Sequence, residues 1–278
     1  MTSQKEIFIR KANGEDEPFD PHKLEQSLQR ADAPEGEIVR IVEHIKNEIV
    51  QGMTTEDIYR HAFNLLKKEK RSSATKYSLR RALAALGPSG YPFEAFLGEL
   101  YKRKGYTISS QRIIKGKCAE HELDMVAYND QEVVVAEAKF HTEHHFKTDL
   151  KTSLYVKARF DDIKDSAIDI KGSQRKIDRK MLITNTKFTT TAIDYAQCAG
   201  LELVGWSYPG SDNLEDMIEK SNVHPITALT LISESEKNIL LSQNIVICRN
   251  VLDNPSLLKV AGIKKSREAE IINEINTL

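Results

Sequence analysis

Cysteine is scarce in this chain of 278 residues: Cys118, Cys198 and Cys248 stand far apart and are odd in number. No CxxC pair occurs, which argues against a zinc knuckle or a disulfide framework and fits a reduced, cytoplasmic setting. Long apolar runs are missing too. None nears the ~18 residues that span a bilayer, so no membrane partner is expected. The opening MTSQKEIFIRK lacks the apolar stretch of a secretory signal. Nor does one sign of charge dominate: 40 Lys and Arg stand against 41 Asp and Glu, a net charge of −1. A polyanion must therefore be met by local basic patches rather than by an overall field. There is no GxxxxGK[ST] phosphate loop, no fixed-period repeat and no low-complexity linker.

What is present is an ordinary globular balance, 40% hydrophobic and 29% charged, in a chain long enough for two or three small domains. Three segments separate by pattern. Residues 1–88 open with a strand pair around the turn signal Asn13-Gly14 and continue as helices. The first starts at Asp20 (cap) and Pro21, a second covers 35–51, a third follows Thr54, and a fourth covers 72–86. Residues 89–210 mix both states. Phe93, Phe96, Leu97, Leu100 and Tyr101 line one helix face. Strands are expected at 106–114, 123–128 and 132–140, then a long polar helix at 146–170. Strand 181–184, helix 189–199 and strand 201–206 follow. The fold class is therefore α/β, with an αβββαβ sandwich core. Residues 211–278 read as a small all-α module, with a capping box at Ser233 and Glu236 and a break at Gly262.

The informative stretch is ELDMVAYNDQEVVVAEAKF. On strand 132–140 the side chains of Glu137 and Lys139 share a face, and two charges ending a buried strand are costly unless paired or bound to metal. A two-residue turn at Asn129-Asp130 pairs Asp124 with Val135 and puts Asp124 on that same face. A loop of odd length would put it on the other. Two carboxylates suit a hard divalent ion, Mg²⁺ or Mn²⁺, and a lysine beside them suits phosphodiester hydrolysis. A surface ion pair between Glu137 and Lys139 accounts for the spacing alone equally well.

Asp124 followed by Glu137-Ala138-Lys139 resembles the PD-(D/E)xK nuclease signature, in its Mrr-like restriction endonuclease branch. FEAFLGELYKRKGY before it and ITNTKFTTTAIDYAQCAGLELVGW after it resemble that branch's first helix and its strand–helix–strand tail. The resemblance implies Asp124, Glu137 and the Ala138 carbonyl as metal ligands, Lys139 as the catalytic lysine, and Glu94 as the branch's extra acid. Leu123 stands where the signature has proline. His121, His141, His144 and His145 lie close by in sequence. Their spacing matches no standard zinc pair, and they read as histidines near a phosphate site.

IFIRKANGEDEPFDPHKLEQSL resembles the start of an ATP-cone, the nucleotide-sensing domain of ribonucleotide reductases and their repressor, and MTTEDIYRHA resembles its later part. The resemblance implies that Lys11, Lys23 and Thr55 approach a bound ATP or dATP. Ala12 and Tyr59 depart from the residues usual there. PSLLKVAGIKKSREAEIINEI resembles a helix-hairpin-helix, which holds a DNA phosphate on backbone N–H groups, although Ile263 replaces its second glycine. A plain helical protein–protein module suits that segment as well.

Taken together, these readings predict a Mg²⁺-dependent DNA endonuclease of defence or DNA processing, governed by ATP or dATP. Cutting both strands with one core per chain calls for a homo-oligomer, a dimer or higher. The alternative is a nucleotide-sensing DNA-binding regulator whose nuclease fold no longer cuts.

Overall fold

The computed structural model describes residues 6–109, 112–143 and 145–278. They form two compact units. One runs through Leu79 and takes in Ala228–Ser233 and Lys265–Leu278; the other comprises Arg80–Thr227 and Glu234–Lys264. No helix among the described residues is long and apolar enough to cross a membrane.

The first unit begins with antiparallel strands Phe8–Arg10 and Asp16–Pro18, turned at Gly14 with φ +86°. Helix Pro21–Arg30 starts where Asp20 Oδ1 accepts from the His22 N–H at 3.0 Å, and Pro21 loses nothing at a position with no intrahelical bond to make. Helix Glu35–Glu48 stops three residues before the expected end. The hairpin claims the following backbone: Gly52 N–H donates to Phe8 O at 2.8 Å, and Arg10 N–H to Met53 O at 3.0 Å. Helix Thr55–Glu69 opens with a capping box between Thr54 and Asp57. The expected helix 72–86 is instead two, Arg71–Tyr77 and Leu79–Ala84, interrupted at Ser78, whose hydroxyl donates to the Thr75 carbonyl. Leu24, Leu28, Ile41, Ile45 and Leu66 fill the core. The last helix, Lys265–Asn276, also belongs here. Its Glu274 carboxylate accepts from Thr230 N–H (2.8 Å), Thr230 Oγ1 (2.6 Å) and Leu231 N–H (3.1 Å).

The second unit is built on a five-stranded sheet in the order Glu202–Val204, Arg179–Thr184, Val133–Lys139, Met125–Tyr128, Thr107–Ile108. The first three strands run parallel; the last two are antiparallel to their neighbours. Strand Val133–Lys139 is central and buried through Glu137, as its run of valines requires. Val126, Val133 and Val135 pack with Val156 and Phe160 of helix Leu150–Asp162. Helix Tyr91–Arg103 buries the predicted stripe Phe93, Phe96, Leu97, Leu100 and Tyr101.

Two local expectations are corrected. The turn between the acidic strands holds four residues, because Tyr128 pairs with Val133. Asn129 organises it, its Oδ1 accepting from the N–H groups of Gln131 and Glu132, both at 2.9 Å. The register thus shifts by two, which preserves the face. The polar helix expected over 146–170 is only Leu150–Asp162, capped by Asp149. It gives way to a hairpin, Ala167–Ile170 with Ser173–Lys176, turned at Lys171 and Gly172, both with positive φ. In the last segment, helix Leu257–Val260 precedes Gly262, whose φ is +71°.

Candidate active site

Met125 pairs with Ala136, so the next step of the ladder sets Asp124 beside Glu137. Asp124 has already left regular pairing. Its Oδ2 accepts from the Ala138 N–H at 2.6 Å, which fixes the carboxylate at the mouth of the strand. The Asp124 and Glu137 carboxyls are close enough for each to shift the pKa of the other. Glu137 is 7% exposed; its Oε2 meets Arg159 Nη1 at 2.7 Å, while its buried Oε1 has no hydrogen-bond partner among the described residues.

These surroundings set the charges. Burial, then the neighbouring Asp124 carboxylate, pushes the Glu137 carboxyl up to about 8, against the pull of Arg159. Burial also raises Asp124, although the Ala138 N–H and Arg159 hold it back. Glu94, on helix Tyr91–Arg103, is raised by burial and by Asp124, and Arg112 Nη1 reaches its Oε2 at 3.2 Å. Three carboxyls thus repel one another across one pocket of charge, with two arginines as partial compensation. Lys139 is exposed two residues beyond Glu137 and joins no ion pair among the described residues.

An orphaned, buried carboxylate oxygen beside a second carboxyl is the donor set a hard divalent ion takes. The residues present fit such an ion. Glu137 Oε1 and Asp124 could hold it, and the extra positive charge would return both carboxyls to their ionised form.

The structure thus brings Asp124, Glu137 and Glu94 together and sets Ala138 and Lys139 on the same strand end. Sequence reasoning missed Arg159 and Arg112. Arg159 neighbours the buried positions Ser153, Val156 and Phe160 of its helix, the one hint that its side chain turns inward. The histidines go elsewhere. His121 Nε2 pairs with Asp162 Oδ2 at 2.8 Å, and this bond, with N–H groups of Cys118 and Ala119, holds Asp162 well below the usual carboxylate range. His141 meets Thr148 Oγ1 at 3.1 Å, its pKa lowered by burial and by Lys139. His145 stacks on Phe146. His144 lies outside the described residues.

In the first unit, Lys23 and Thr55 line one cleft of about 180 Å³ together with Glu17, Ile58, Tyr59 and Tyr77. Lys11 and Lys23 both bind Glu17 Oε2, at 2.9 and 3.0 Å. Burial works to raise Glu17, yet the two lysines hold it below its ordinary value. Tyr59 and Tyr77 stack with centroids 5.2 Å apart. Glu17 was missed from sequence because it gathers the lysines only once the hairpin and first helix meet.

Among the basic side chains, Lys102 pairs with Glu99, Arg103 with Asp253 at 2.7 Å, and Arg179 with Glu132 and Glu202. Arg267 donates to the Leu231 carbonyl.

Comparison with known proteins covers all three segments. Family matches are found for the ATP cone domain at residues 7–85, a restriction endonuclease domain at 87–206 and an AF1548-like C-terminal domain at 224–278. An uncharacterized protein of Archaeoglobus fulgidus is 32% identical over 179 residues, 64% of this chain and 97% of that protein. The crystal structure of AF1548, described as a protein of unknown function, is similar with a TM-score of 0.53 and 31% identity, covering 68% of this chain and 97% of that one. The chain therefore belongs to the AF1548-like family, carrying a restriction endonuclease domain behind an ATP cone domain.

Proposed function

We propose that this protein is a divalent-metal-dependent DNA endonuclease whose cutting answers to ATP or dATP. The observation that carries the reading is Glu137 Oε1, buried beside Asp124 without a hydrogen-bond partner among the described residues. A pure binding protein gains nothing from keeping repelling carboxyls next to a polyanion. Asp124, Glu137 and the Ala138 carbonyl are the proposed metal ligands. A bound ion there supplies Lewis acidity and neutralises charge on the phosphate. Arg159 keeps Glu137 Oε2 in place, so that Oε1 alone turns to the metal side. Lys139, exposed beyond the acids, donates to the attacked phosphate or orients the incoming water. Glu94 adds negative charge at the rim, balanced by Arg112.

In the ATP cone, Glu17 occupies both lysines that a triphosphate needs. Nucleotide binding is proposed to exchange Glu17 for phosphate oxygens on Lys11 and Lys23, with Thr55 at the edge of the same cleft. The turn at Gly262 is proposed to assist DNA positioning.

The test is cleavage of plain, methylated and branched DNA with Mg²⁺ or Mn²⁺, with and without ATP or dATP. Cleavage is expected to need the metal, to vanish in Lys139→Ala and Asp124→Asn, and to lose its nucleotide response in Lys23→Ala. Undiminished cutting by Lys139→Ala would remove that residue from the mechanism. DNA binding without metal uptake or cutting would leave a regulator.

A further inference from the structure

A second cluster of metal-ligating side chains lies in the first unit, built from side chains not used above. His44 and Glu48 stand one turn apart at the end of helix Glu35–Glu48, and so share a face. His61 comes from the neighbouring helix Thr55–Glu69. His44 Nε2 is 3.2 Å from Glu48 Oε1, and His61 Nε2 is 3.3 Å from Glu48 Oε2. One ligand atom from each residue lies within 4.8 Å of the others, and the imidazoles meet edge to face with centroids 5.5 Å apart.

Glu48 offers one carboxylate oxygen to each imidazole, so two nitrogens and a carboxylate converge on one point. Ligand bonds of ~2.0–2.1 Å arranged tetrahedrally about zinc put neighbouring donor atoms roughly 3.3 Å apart, within the 4.8 Å over which these three ligand atoms gather. Two imidazoles favour zinc or its late first-row neighbours over magnesium, which prefers an all-oxygen shell.

We propose that His44, Glu48 and His61 form a zinc-class transition-metal site that cross-links these two helices. The second helix also presents Thr55, Ile58 and Tyr59 to the nucleotide cleft, so an ion here fixes its position against its neighbour. The site is separate in residues and in donor chemistry from the carboxylate centre.

Cobalt titration of the full chain tests this, because tetrahedral nitrogen-containing sites absorb intensely in the visible whereas oxygen-rich octahedral sites absorb weakly. One equivalent of intense absorption is expected, displaced by Zn²⁺ and retained in Asp124→Asn. In His61→Gln the affinity should fall tenfold or more, since even residues that merely support a ligand cost ~10–100-fold. A second readout needs no variant: Zn²⁺ should shield His44 and His61 of the unaltered chain from diethylpyrocarbonate, scored by peptide mass spectrometry. Absence of the intense bands, their survival in His61→Gln, or shielding confined to other histidines would overturn the proposal. None of these readouts depends on DNA cleavage, so they stand whatever becomes of the nuclease reading.

Discussion

Glu137 carries a carboxyl whose proton is held up to about 8 by burial and by Asp124. A folded-state pKa above that of the unfolded chain means the group contributes stability below its unfolded pKa, roughly 4–4.5, and loses it as pH rises through the folded value. The metal-free protein is therefore expected to melt at progressively lower temperature between pH 5 and 8 on the order of those pKa limits. Glu137→Gln should flatten that slope, and Mg²⁺ should reverse it, because the ion favours the charged form. Differential scanning fluorimetry over that range measures both. Arg159→Met should cost less than the ~3–5 kcal/mol of a stranded buried charge, because Glu137 escapes by keeping its proton. Its mark should instead be a metal-binding midpoint displaced to higher pH, measured by calorimetry. The shared face of Asp124 and Glu137 was legible in the sequence because they sit on adjacent strands, where alternation decides which side chains face the same way. Arg159, Arg112 and Glu17 were not, since each arrives from an element whose packing the pattern of single residues does not encode.

Among the elements, those with local start signals matched expectation best. Asp20 with Pro21, and Thr54 with Asp57, begin helices where the sequence placed them, because capping is settled within a few residues. Thr54→Ala should cost about 1 kcal/mol in urea unfolding through the lost cap. Ends set from afar were misplaced. The helix at Leu150 stops at Asp162, whose carboxylate is bound by Cys118, Ala119 and His121, partners distant in the chain. The tightness of that bracket gives a further prediction. A Cβ on Gly116 would lie 2.1 Å from Asp162 Oδ2 and 2.8 Å from the Ala119 carbonyl. Gly116→Ala should therefore lower stability by about 1–3 kcal/mol, the usual scale of overpacking, and release the His121 imidazole from Asp162. Histidine chemical shifts followed by NMR would register the release. The acidic turn teaches the complementary lesson: its length was misjudged, yet by an even number, so Asp124 kept its face.

For the whole molecule, the near-neutral charge predicts weak, salt-sensitive attachment to DNA rather than a basic grip. Lys102, Arg103 and Arg179 are each held in an internal ion pair. Neutralising Lys102 should leave the salt dependence of DNA binding nearly unchanged, whereas a steep loss would show that this helix end tracks phosphate. The boundary between units is a larger departure from a linear reading. The helix Lys265–Asn276 and the stretch Ala228–Ser233 join the unit that the N-terminal residues begin. Glu274 ties those two late pieces together through three hydrogen bonds. This arrangement orders events at the ribosome. Domains generally fold as they emerge, first made and first finished. Here two pieces of the first unit, Ala228–Ser233 and Lys265–Leu278, are made only after Arg80–Thr227, so the early strands and helices spend that interval without them.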